Sequence, residues 1–189
     1  MTPNKKNKFT EGRILSSLIS LALPIIFANI LQSAYQLIDT FWLGRLGADA
    51  VAAVSLSFPL LFLVLSLGAG LTLAGTVLVA RYKGAENQQQ VDFSSSQSVF
   101  LIFLTSIVLA IISYFASAPL MQLIGAGPDI IDDSIQYFKV SSLGFVFLFL
   151  FFIFQSLMRG IGNVMLPVYI VLFTVILNAV LDPLFIYGY

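Results

Sequence analysis

Asp39 and Asp182 lie inside long apolar stretches of the sequence. A carboxylate at the centre of a bilayer costs roughly 2.5–3.5 kcal/mol on insertion scales, so it normally faces a bundle interior or an aqueous cavity. Asn178 precedes Asp182 by four residues, which puts an amide and a carboxylate on one helix face. Oxygen donors of this kind suit a shared proton or a hard cation such as Na+, so Asp39, Asn178 and Asp182 are the expected ion ligands. Pro183 follows Asp182; a helix proline bends the chain and would free the carbonyl of Ala179 as a further ligand. Pro24 would do the same to Ser20 in the first apolar stretch, and Pro59 to Ser55 in the second. Gln32, Tyr35 and Gln36 share the helix face of Asp39 and would line a polar lumen, and Gln155 is a further candidate for that lumen. A plainer reading makes Asp39 an interfacial partner of Arg45 and Asp182-Pro183 a helix stop.

The composition removes most other chemistry. With no histidine and no cysteine, the chain lacks the usual general base, the common metal ligands and the Ser-His and Cys-His pairs. We therefore expect no enzyme and no cofactor beyond a coupling ion. The net charge of zero offers no footprint for nucleic acid. Hydrophobic types make up 59% of the 189 residues and charged types 10%, and mean hydropathy is +0.98. A soluble domain carries about 25% charge, so the partner that this composition demands is membrane lipid.

The elements that must hold these residues are transmembrane helices, because the apolar runs are long and do not alternate with polar residues. Five are expected, over 14–43, 50–80, 99–123, 137–158 and 165–187, which makes the chain an all-α integral membrane protein behind a tail at 1–13. Turn residues separate them, with Gly84 as the expected C′ residue of the second helix. The polar stretch 86–98 reads as a loop leading into a surface helix turn. The pairs Gly70/Ala74 and Ala48/Ala52 have the spacing of close helix contacts. Of the nine Lys and Arg, Lys5, Lys6, Lys8, Arg13, Arg81, Lys83 and Arg159 fall on one side and Arg45 and Lys139 on the other. The bias puts the N-terminus in the cytoplasm of a multi-pass plasma-membrane protein. Asp39 and Asp182 then both lie near the outer ends of outward-running helices, at similar depth.

These residues resemble a known family. The stretch Leu23-Pro24-Ile25-Ile26, then Gln32 and Tyr35, then Asp39 through Gly47, is similar to the first helix of MATE multidrug and toxin extrusion transporters. Gly68-Ala69-Gly70 and Ala80-Arg81-Tyr82-Lys83-Gly84-Ala85 resemble its second helix, Arg159-Gly160-Ile161-Gly162-Asn163 with Pro167 the link into helix five, and Asn178 through Leu184 helix five itself. The resemblance implies two six-helix bundles and the export of organic, often cationic or amphipathic, compounds driven by H+ or Na+. It implies a cation site shared by helices one and five, matching Asp39, Asn178 and Asp182, and a bend at Pro24. Amides that some members carry on helix four have only Gln155 as a counterpart. Residues 14–189 would form five helices of an incomplete N-terminal bundle, so transport is expected of a longer parent protein that supplies the remainder. The rival readings are a lipid-linked saccharide flippase of a related superfamily, which calls for a cationic lumen, and a pore-forming oligomer of five-helix subunits.

Overall fold

The computed structural model describes residues 14–187; the expected tail, with Lys5, Lys6, Lys8 and Arg13, lies outside the described residues. Five helices run in order: α1 Ile14–Gly44, α2 Ala48–Gly84, α3 Gln88–Leu123, α4 Ile131–Gly160 and α5 Met165–Tyr187. All five are long and apolar enough to cross a membrane, and no strand occurs among the described residues. Short links reverse the chain each time, so the helix ends gather in two sets. One end carries Arg81, Lys83 and Arg159 in the last turns of α2 and α4. The other carries Asp39 and Asp182, each five residues before the end of its helix.

Helix α3 differs from the expectation. It starts at Gln88, so most of the polar stretch 86–98 is helical. The local reasons are visible: Asn87 caps the helix by accepting from Gln90 N–H at 3.1 Å, and glutamine is a good helix former. Val91 and Ser94 are buried, which fixes the new turns against the bundle. At about 1.5 Å per residue the 36 residues of α3 and the 37 of α2 exceed a bilayer core about 30 Å thick. Helix α2 is continuous through Pro59.

Three links share one closing motif. After α2, Glu86 N–H donates to Lys83 C=O and Asn87 N–H to Tyr82 C=O, at 3.1 and 3.0 Å. The same pair of bonds closes α3 around Gly125 and α4 around Gly162. This is the Schellman arrangement, whose C′ residue is left-handed. Gly125 and Gly162 occupy it at φ 82°, whereas the first link uses Glu86 at φ 57°. Gly84 is thus the last helical residue of α2 and not its C′ residue, because the two bonds close two residues later than expected.

Helices α2, α3 and α4 pack as a trio around Val64, Val79, Val91, Ile102, Phe145, Phe149 and Ile153. The close approach of α2 to α4 at Gly68 and to α3 at Gly75 needs glycine. A Cβ at Gly68 would meet the Phe149 ring at 2.7 Å, and one at Gly75 would meet Ser98 Oγ at 2.9 Å. The expected pair Gly70 and Ala74 instead faces outward, and a Cβ at Gly70 would touch nothing. The inward stripe follows Val64, Gly68, Thr72, Gly75 and Val79, a helical repeat of three and four that a search for two small residues four apart does not select. Ser156 donates to Thr72 C=O at 2.8 Å and bonds the Thr76 hydroxyl, joining α4 to α2. The phenylalanine-rich run of α4 fills the trio with Phe145 and Phe149 and turns Phe147 outward.

Helices α1 and α5 form a second group, packed on each other. They meet the trio along two thin seams, α1 on α2 and α4 on α5. None of the described α1 side chains is buried, so its apolar positions, such as Leu23, Phe27 and Leu37, face outward.

Candidate functional site

The α1–α5 pairing decides where the acidic residues meet. Asn178 and Asp182 stand one turn apart on α5, and the Asn178 amide donates to Asp182 Oδ1 at 2.6 Å. The remaining oxygens, Asn178 Oδ1 and Asp182 Oδ2, are shielded from solvent and have no hydrogen-bond partner. Two shielded acceptors on adjacent turns, one of them anionic, are costly to leave unpartnered and well suited to a proton or a bare cation. Asp39 on α1 is within electrostatic reach of Asp182. Tyr35, one turn before Asp39, is in reach of both carboxylates.

Asp39 is exposed, yet neither plainer reading of the two aspartates matches their contacts. Arg45 forms no ion pair with Asp39; its guanidinium rests over the rings of Phe41 and Trp42, 4.7 and 5.3 Å from their centroids. Helix α5 runs through Pro183 to Tyr187, so Asp182-Pro183 does not stop it. Pro183 lacks an N–H, and the carbonyl of Ala179 one turn back thereby loses its helical donor. Pro24 lies within an unbroken α1.

The other candidates are divided. Gln32 and Gln36 are exposed on α1, and the Gln36 carbonyl accepts from Thr40 Oγ1 at 2.7 Å. Gln155 is far along α4, five residues before its end at Gly160, and lines a small cavity with Asn29 and Arg159 near the opposite end of the bundle from Asp39. It therefore does not join the acidic group. A residue that the spacing analysis did not select does join it: Tyr137 of α4 is in electrostatic reach of Asp39 and Tyr35. Its only signal in the sequence is a tyrosine near the end of the fourth apolar run that lies level with the acids.

Comparison with known proteins agrees with this architecture. The MatE family model matches residues 24–184. The chain is 31% identical over its whole length to the "Probable multidrug resistance protein YoeA" of Bacillus subtilis (strain 168), of which it covers 40%. It is 25% identical to the "Multidrug export protein MepA" of Staphylococcus saprophyticus subsp. saprophyticus (strain ATCC 15305 / DSM 20229 / NCIMB 8711 / NCTC 7292 / S-41), with 96% of this chain and 40% of that protein aligned. The outward-facing structure of a multidrug resistance MATE family transporter of the MOP superfamily superposes with TM-score 0.89 at 26% identity, over 98% of this chain and 41% of that one. The chain thus spans about two fifths of the length of the relatives it matches. The family match over most of the chain, the five membrane-length helices and the close superposition together establish that this chain belongs to the MATE family.

Proposed function

We propose that the chain carries the ion-binding half of the machinery of a cation-coupled multidrug efflux antiporter, working as part of a longer protein. The observation that carries this reading is the pair of shielded, unpartnered oxygens on Asn178 and Asp182, set beside Asp39. Asp39, Asn178 and Asp182 would hold the coupling ion, H+ or Na+, with Tyr35 and Tyr137 closing the group from α1 and α4. All the donors are oxygens, which fits a hard cation, and a carboxylate pair fits a proton equally. The ion neutralises the acidic pair and so favours one arrangement of α1 against α5, while substrate favours the other. Coupling requires only that the two ligands prefer different states. Pro24 and Pro183 supply the bends at which these helices give way. The names of the relatives, a multidrug resistance protein and a multidrug export protein, support a drug as substrate, the acidic group suits a cationic one, and the basic end supports a cytoplasmic N-terminus in the plasma membrane.

The test is dye extrusion by the full-length parent protein in vesicles with an imposed Na+ or pH gradient. Asp39→Asn is expected to abolish gradient-driven extrusion while leaving membrane insertion intact. Undiminished extrusion by that variant would overturn the proposal.

A further inference from the structure

A small cavity of about 30 Å³ opens between α1, α4 and α5 near the basic end of the bundle, away from the acidic group. Its walls are apolar, from Ile25, Ala28, Val164 and Val168, and its polar edge is Asn29, Gln155 and Arg159. Arg159 donates through Nε to the Gln155 carbonyl at 3.3 Å, which fixes the guanidinium plane and leaves the terminal NH2 groups for another acceptor. It makes no ion pair with any described carboxylate, and neither Glu86 nor Asp92, the acids described near this end, lines the cavity. Asn29 and Arg159 are exposed, so the mouth of the cavity lies on the surface of the bundle, one residue before the end of α4. A second, independent observation is in the sequence: Lys5, Lys6, Lys8 and Arg13 precede α1, four cations in the segment leading into the helix that forms one cavity wall.

We propose that this cavity is a docking site for the phosphate of an anionic phospholipid headgroup, held by Arg159 with the amides of Asn29 and Gln155. A guanidinium and two amides offer donors in the geometry that phosphate oxygens accept. Basic pockets between transmembrane helices, and basic clusters just outside them, are how membrane proteins select anionic lipid. At about 30 Å³ the cavity admits only phosphate oxygens, and the glycerol and acyl carbons rest outside its mouth. Ile25, Ala28 and Asn29 lie in the turns that follow Pro24, so a bound headgroup sits in the seam that α1 must close if it bends there.

The experiment is native mass spectrometry of the full chain released from membranes, titrated with phosphatidylglycerol against phosphatidylcholine. Wild type is expected to retain phosphatidylglycerol preferentially. Arg159→Gln is expected to cut that preference about fivefold, the worth of one cation at an anionic lipid surface. Ala28→Leu fills the cavity without changing charge and is expected to cut it similarly, while Arg159→Lys retains part of it. Arg81→Gln removes a cation at the same end but outside the cavity, and is expected to leave the preference within twofold. Equal losses in Arg81→Gln and Arg159→Gln would show diffuse charge attraction and overturn the proposal. So would displacement of the lipid by millimolar inorganic phosphate, which would make the site one for free anion. If Arg159→Gln fails to insert, Ala28→Leu and Arg159→Lys decide, and unchanged preference in both overturns the site.

Discussion

At the scale of single residues, the acidic group is held by one short bond and one helix contact. The Asn178 amide fixes Asp182 on α5, and the packing of α1 on α5 brings Asp39 up to it. A hydrogen bond to a charged group contributes about 1.5–3 kcal/mol. A donor to a carboxylate favours its charged form, so the amide's own contribution to a bound metal cation is its free Oδ1. Asn178→Ala in the full-length parent should therefore raise the Na+ concentration for half-maximal efflux about tenfold or more. Because Asn178 is only half-buried, the same variant should leave thermal unfolding in detergent nearly unchanged. A concentration dependence identical to wild type would show that the amide is not a ligand. That Asp39, Asn178 and Asp182 lie at one level was legible in the sequence because polar groups are rare in apolar runs and their depth can be counted. Tyr137 was not, since what brings it within electrostatic reach of Asp39 is the docking of the α1–α5 pair on the trio along α1–α2 and α4–α5, which spacing along one helix cannot report.

Among the helices, the structure sorts the glycines by what they touch. Gly68→Ala drives a methyl into the Phe149 ring and should destabilise the bundle by about 1–3 kcal/mol, as overpacked cores do. Gly70→Ala meets nothing and should be neutral or slightly stabilising. Thermal unfolding of the two variants in the same detergent checks the contrast, and equal midpoints would contradict the packing. Glu86 offers the opposite opportunity, because a side chain in the left-handed region costs roughly 1 kcal/mol or more that glycine does not. Glu86→Gly should raise the unfolding midpoint by a few degrees, about 1 kcal/mol. Helix existence was readable from hydropathy alone. The start of α3 and the inward face of α2 were not: a cap at Asn87 turns a polar stretch into helix, and the inward stripe follows packing, not composition.

Taken whole, the five helices fall into two packing groups within one incomplete bundle. The trio α2–α3–α4 holds most of the buried core, while α1 contributes no buried side chain among its described residues. Local stability follows burial, so amide hydrogen exchange in a bilayer mimetic should be slowest in the middle of α2, α3 and α4 and faster in α1. Uniform protection of all five helices would contradict the division. Such a division suits the proposed ion site, since the acids lie on the looser pair and Tyr137 of the trio lies within electrostatic reach of Asp39.

The pairing of α1 with α5 also bears on how the chain is made. Of these five helices, the first to leave the ribosome finds its main partner only when the last emerges, with three synthesised in between. Until then α1 lacks its main helix contact, and Asp39 lacks the Asn178–Asp182 pair beside it, so the insertion machinery must shelter it. Nascent chains stalled before Met165 should accordingly crosslink through α1 to that machinery, and chains stalled well beyond Tyr187 should have let go.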